Sequence, residues 1–567
     1  VKERAMKIDG CRALFVCVLA ASAGLARGQG DAVLVDGRVV FPEGTEMPKG
    51  PSPAERAYEE QFPLLTPRGS TPPPAGVVRA PGEYEPAQGI LIAWEGSASF
   101  TNILARMATH ITTTGNADVY IMVDTAAEGT TATSTIAALT GPAANMARVF
   151  TFVIPTDTIW IRDYGPRYIY EGNVRAIVDH TYNRPARTLD NAQPLAWGPL
   201  RNNAVYEMPL IHGGGNYHLN GLAEGYATRL IANENPSLTE PQIVSLWQQY
   251  QGVSTLLVDP YPASVDSTQH IDMWVQVAGD RRVMVSNWAS PPATSPNVDV
   301  LCDNFAAARL SEGWTVGRVP AFSVSGTHYT YTNVVICNNL VLVPSYTNTT
   351  VVNAGGNSAA ISAWQSLRND LPPQNIVAVP CQAIVTSAGV MHCIVMHVPA
   401  PLGGTNPTVN LKTLRGPETL QPGASADIRW ATDDDAGVTG VDILLSTDGG
   451  ATFPTVIAAA TANDGQFSWT VPSTYTTQGR IRIVARDAQS NTGADSSTGD
   501  LFINAPLPPC AGDADGDRDR DFADVTSVLA NFGLAPGAFG PGDADGNGVV
   551  EFSDITSVLA NFGIACP

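Results

Sequence analysis

GILIAWEGSASFTNILARMATHITTTGNADVYIMVD, residues 89–124, decides the fold class. GILIAWE (89–95) is a short apolar run of strand length, and FTNILARMATHITT (100–113) places apolar residues at helical spacing. ADVYIMVD (117–124) is strand-like again. The alternation recurs in ATRLIAN (227–233), EPQIVSLWQQY (240–250) and STLLVDP (254–260). It returns in NNLVLVPSY (338–346), NSAAISAWQSLRND (357–370) and NIVAVP (375–380). Strands separated by helices of this length predict an α/β domain over residues 84–405, after a lead-in segment over 27–83.

Beyond it the helical spacing disappears. SADIRWAT, VDILLST, GQFSWTV and GRIRIVARD are short alternating strands that predict an immunoglobulin- or fibronectin-like β-sandwich over 412–505. A proline-rich linker follows at 506–511. The last stretch, 512–567, repeats itself: DADGDRDRDFADVTSVLANFG (513–533) answers DADGNGVVEFSDITSVLANFG (543–563). Each copy sets hard oxygen ligands along a loop that leads into a helix. The first offers Asp513, Asp515, Asp517, Asp521 and Asp524; the second offers Asp543, Asp545, Asn547, Glu551 and Asp554. Such spacing suits Ca²⁺, one ion per loop, with Arg518 in the first loop where the second has Gly548.

At the other end, Lys2, Arg4, Lys7 and Arg12 precede the apolar stretch ALFVCVLAASAG (13–24) and then small residues. Twelve residues make a helix of about 18 Å, short of a hydrocarbon core of roughly 30 Å. The pattern predicts a signal peptide over 1–26, no membrane span in the mature protein, and a secreted or cell-surface location. The formal charge is −21 although charged residues are only 15% of the chain, and lysine and arginine never cluster. That composition excludes nucleic acid as a partner. Export permits disulfides; Cys510 and Cys566 bracket the last module and are the expected pair, with Cys302–Cys337 as a further pairing.

The chemistry-bearing residues lie within the α/β stretch. Asp163 sits in WIRDYGP (160–166), His270 and Asp272 in HIDMW (270–274), and Cys393 in GVMHCIVMH (389–397). On a strand, His270 and Asp272 share a face, whereas His392 and Cys393 face opposite ways. A thiol, an imidazole and two carboxylates beside apolar residues suit covalent chemistry on a cationic substrate, and no compact metal-binding spacing competes.

These segments, with GGN inside HGGGNYHLNG (212–221) and the late HCIVMHVP (392–399), resemble the agmatine deiminase and bacterial peptidylarginine deiminase family in residue type and order. The resemblance implies a pentein fold, a five-bladed α/β propeller. It implies Cys393 as nucleophile, His270 as general acid/base, and Asp163 and Asp272 as the carboxylates that grip a guanidinium. It extends to Trp160, Asn220 and Asn333 as substrate-binding positions and to Arg184 and Arg187 in YNRPAR (182–187) as partners of a substrate carboxylate. Asn220 stands where family members often carry an acid. The expected reaction converts peptidyl or C-terminal arginine to citrulline and ammonia with no catalytic cofactor. One alternative is agmatine giving N-carbamoylputrescine; another is an inactive pentein acting as a surface-attached scaffold. The tail resembles a type I dockerin, which implies a cohesin-like or cell-surface partner.

Overall fold

The computed structural model describes residues 32–567 apart from 36–37, 43, 64–65, 504–509, 518, 565 and 567. The signal peptide over 1–26, most of the 506–511 linker and Arg518 lie outside the described residues. Among the described residues no helix is long and apolar enough to cross a membrane.

The strand–helix–strand reading of 89–124 matches strands Ala87–Ala93 and Asp118–Val123 around the helix Ala98–Thr112, whose N-terminus is capped by the Ser97 side chain. The two strands pair in parallel, and Val149–Val153 adds a third. Ile90, Leu91 and Ile92 are all buried, as a parallel strand requires when both its faces are covered. Met396–Pro399 returns from the far end of the domain to pair antiparallel with Ala87–Ala93.

Four more sheets repeat one plan: an antiparallel pair, then a parallel strand reached through a helix. They are Arg167–Glu171, Val174–Tyr182 and Ala204–His212; His218–Leu219, Glu224–Thr228 and Ser254–Val258; Val275–Gly279, Arg282–Asn287 and Thr315–Pro320; and Val335–Cys337, Leu340–Ser345 and Ile376–Pro380. None of these sheets is closed or curled on itself. The expectation of a five-bladed propeller is therefore corrected to a set of separate open sheets with helices between them. Within the sequence reading, ATRLIAN divides, its first residues ending the strand Glu224–Thr228 and its last forming the helix Leu230–Glu234.

Strands from 408 to 503 lie near their expected places, in a three-stranded and a six-stranded open sheet over one hydrophobic cluster that includes Trp430, Ile443 and Ile483. They define no immunoglobulin- or fibronectin-like sandwich, so that expectation is also corrected. Arg175 of the α/β part and Asp433 of this part are both buried and form a two-pronged ion pair, with Nη2–Oδ1 and Nε–Oδ2 each at 2.8 Å.

The tail contains the helices Phe522–Ala530 and Phe552–Asn561 and the Cys510–Cys566 disulfide. Its dockerin-like assignment is not sustained as a fold. Asp524 and Asp554 serve as capping residues: Asp524 accepts from the backbone N–H groups of Ala514, Asp515 and Asp521, and Asp554 from those of Ala544, Asp545 and Glu551. Cys302 and Cys337 are both free thiols, the former against the Tyr261 hydroxyl at 3.0 Å and the latter in a different hydrophobic cluster, so they do not pair.

Candidate active site

In each of the five sheets of the α/β part a short turn precedes one antiparallel strand, and these turns carry the chemistry. Asp163 lies on Ile161–Tyr164 before Arg167–Glu171, Gly215 on Gly214–Asn216 before His218–Leu219, and Asp272 on Ile271–Met273 before Val275–Gly279. Asn333 lies just before Val335–Cys337, and Cys393 on His392–Ile394 before Met396–Pro399. HIDMW and MHCIV are thus turns rather than the strands assumed for their side-chain directions. On its turn, His392 does not point away from the site: its Nδ1 and the Cys393 Sγ approach the same Asp272 oxygen, at 2.9 and 3.4 Å.

Glycine is required at the centre. A Cβ on Gly215 would lie 2.8 Å from Asp163 Oδ1, 2.9 Å from His270 Nδ1 and 3.0 Å from Asp272 Oδ2. The three side chains therefore converge over bare backbone, and the Gly215 N–H donates to Asp163 Oδ1 at 3.0 Å.

A residue that the sequence reading did not single out fills the space between them. Lys49 is wholly buried; its Nζ lies 3.0 Å from Cys393 Sγ, 3.6 Å from Asp272 Oδ1 and 3.7 Å from Asp163 Oδ1. Asn333 Nδ2 approaches the same sulfur at 3.2 Å, and Asn333 Oδ1 accepts from the His392 N–H. Trp160 is buried beside this group, where a Cβ on Gly389 would meet its ring at 2.4 Å and Lys49 Cδ at 3.2 Å.

Charge sorts the protons. Burial alone would lower the Lys49 pKa, but the two carboxylates outweigh it and hold the ammonium well above the ordinary lysine value. Burial opposes ionisation of both aspartates, yet Lys49 brings Asp163 down to about 2 and keeps Asp272 below the usual carboxylate range. Burial, then Lys49, lowers the His270 pKa, which leaves its imidazole uncharged near neutrality. Burial and Asp272 push the Cys393 thiol up to about 12, against the pull of Lys49. In this arrangement the sulfur carries its proton.

Behind Asp272 runs a second line of charge. His392 Nε2 meets Glu83 Oε2 at 2.9 Å, and Arg162 Nη1 donates to Glu83 Oε1 at 2.6 Å. Glu83, His218 and His392 converge closely enough to hold a metal ion, although both His392 nitrogens are already engaged by carboxylates.

A sequence profile of the Porphyromonas-type peptidyl-arginine deiminases matches residues 79–399, more than half of the chain. The chain belongs to this family. A provisionally named agmatine deiminase of Shewanella frigidimarina is 26% identical over 298 residues, covering 45% of this chain and 77% of its own length. Another, from Marinomonas, is 23% identical over 369 residues, covering 57% and 94%. Among solved structures, the Enterococcus faecalis agmatine deiminase covers 59% of this chain and 98% of its own, at 18% identity and a TM-score of 0.47. The C. jejuni agmatine deiminase covers 57% and 96%, at 16% identity and a TM-score of 0.46. The family match ends at residue 399, so it supports neither the dockerin-like reading of the tail nor a cohesin-type partner.

In this deiminase-family chain Cys393, His270, Asp163, Asp272, Asn333 and Trp160 come together, while Asn220, Arg184 and Arg187 make other contacts. Asn220 is an Asx-turn residue: its Oδ1 accepts from the N–H groups of Leu222 and Glu224, and its Nδ2 donates to Glu224 and to the Asp280 carbonyl. Arg184 donates to the Asn183 carbonyl at 2.9 Å. Arg187 is fully buried and paired with Glu55.

Proposed function

We propose that this chain is a guanidino-group hydrolase whose nucleophile is Cys393. The observation that carries the reading is Lys49, a buried cation set between two carboxylates and against a thiol. A substrate guanidinium in place of that ammonium would pair with Asp163 and Asp272 through its planar N–H groups and present its carbon to sulfur. As substrate binds, uncharged His270 takes the thiol proton. Sulfur bonds to carbon, and the C–N bond breaks as His270 returns the proton to departing ammonia. Water then loses a proton to His270, its oxygen bonds to the carbon of the thiouronium, and the C–S bond breaks to give a urea group and free thiol.

Agmatine is the first substrate to test, because the relatives described above bear that name. Peptidyl arginine is the second reading, favoured by the family's description and by the fact that the cation now in the site arrives on a polypeptide. The ratio of kcat/KM for agmatine to that for an arginyl peptide separates them, with ureido product and ammonia as readouts. No ureido product from either substrate would refute the hydrolase reading.

We also propose Ca²⁺ for the tail and export for the chain. Carboxylate oxygens of Asp513, Asp515 and Asp517 lie within 4.8 Å of one another, as do those of Asp543, Asp545 and Asp554. An all-oxygen set of this kind fits a hard cation. Calorimetric titration of the full chain with Ca²⁺ after chelation tests the first proposal, and silence at millimolar Ca²⁺ would dismiss it. N-terminal sequencing of the mature protein tests the second; an intact N-terminus in the cytoplasmic fraction would contradict it.

A further inference from the structure

We propose that residues 46–62 are a built-in substrate mimic, a strap that closes the active site by lodging Lys49 where the substrate cation binds. The inference rests on the hydrolase reading for its name, but its geometry stands apart from any turnover.

Lys49 meets the sulfur and both carboxylates that the reaction needs to be free. Its Nζ is nearest to the Cys393 sulfur, and both cation-binding carboxylates face it. No reagent can sit between Asp163 and Asp272 while it stays there. A lysine in this position has no leaving group at a carbon near the sulfur, so it occupies the site without reacting.

The flanking backbone is fastened as a bound peptide is. The Lys49 N–H donates to the Ser387 carbonyl at 2.9 Å, and Trp160 Nε1 donates to the Met47 carbonyl at 2.9 Å. Arg187 gathers the rest. Its Nη2 donates to the carbonyls of Pro48 at 2.8 Å and Gly50 at 3.2 Å, its Nη1 to that of Lys49 at 3.4 Å, and its Nε to Glu55 Oε1 at 2.6 Å. Glu55 is in turn fixed by a reciprocal cap with Ser52, which starts the helix Pro53–Gln61. Glu46 accepts from Ser97 and Ser99 at the other end. The strap lies ahead of residue 79, where the family match begins.

The test uses the full chain. Wild type, Lys49→Gly and Glu55→Gln are compared for the alkylation rate of Cys393 by a haloacetamidine and for turnover of agmatine and an arginyl peptide, with circular dichroism reporting the fold. Glu55→Gln loosens the strap without touching the site and serves if Lys49→Gly fails to fold. Loss of a buried ion pair predicts alkylation faster by on the order of 100-fold in Lys49→Gly, and by about tenfold in Glu55→Gln. Turnover rises with alkylation. Faster alkylation with no ureido product upholds the strap and refutes the hydrolase. Unchanged alkylation in a folded variant, or turnover lost on removing Lys49 while alkylation stays the same, overturns the strap.

Discussion

Asp163→Asn, made in the opened Lys49→Gly background, isolates what one carboxylate contributes to cation binding. Asn keeps the shape and an oxygen that accepts from the Gly215 N–H now at 3.0 Å, but removes the charge. Asp163 is 2% exposed, and its Oδ1 lies 3.7 Å from the ammonium that marks the cation position. At that separation, with an effective dielectric of about 20, two unit charges attract by about 4 kcal/mol. Relief of the carboxylate's own desolvation offsets part of this, leaving a net loss of about 2–3 kcal/mol, or roughly 30- to 150-fold in cation affinity. The assay compares Cys393 alkylation by a cationic haloacetamidine with that by neutral iodoacetamide. The ratio of the two rates falls by the stated factor if Asp163 binds the cation, and general changes in thiol reactivity cancel. A ratio unchanged within roughly threefold would refute the assignment.

Other consequences are equally specific. Burial pushes the Cys393 thiol up to about 12, so alkylation of wild type should rise about tenfold per pH unit from 7 to 10 without a plateau; a plateau near 8 would contradict the closed, protonated state. Asp433→Ala leaves the Arg175 guanidinium buried without its carboxylate and should lower stability by about 3–5 kcal/mol in denaturant unfolding, whereas a change under about 1 kcal/mol would mean that water replaces the pair. Asn220→Ala should reduce stability through the lost turn bonds and leave kcat/KM of the opened enzyme within roughly threefold; a large fall in kcat at unchanged stability would return Asn220 to the site.

The reactive quartet was legible because each member sits in a short motif whose polar residue interrupts apolar surroundings. Asp163, His270, Asp272 and Cys393 stand out from those interruptions, their roles come from the family resemblance, and the turns that carry them bring them together. Their local backbone was less legible. HIDMW and MHCIV are too short for spacing to distinguish a strand from a turn, and the direction of His392 reversed with that choice. Asn-Gly reads both as a polar site residue and as a turn, and here the Asn220 side chain closes the turn. Lys49 left almost no trace: one lysine in MPKGP, 344 positions from the sulfur it meets. Its only signal was the pair of prolines around it, which hold an extended course but name no destination. Arg187 was read as facing a substrate carboxylate; it does face a carboxylate, one supplied by Glu55 of the same chain. The larger architecture was less legible still, since strand spacing predicts sheets without fixing whether they close.

The central claim, that Cys393 attacks a guanidinium carbon, is tested most directly by acid-quenching Lys49→Gly during turnover of agmatine and mapping the adduct by peptide mass spectrometry. The account predicts a thiouronium adduct on the peptide that contains Cys393, with ammonia and ureido product released in equal amounts and both lost in Cys393→Ser. Full turnover without any adduct, or with Cys393→Ser unimpaired, would contradict it.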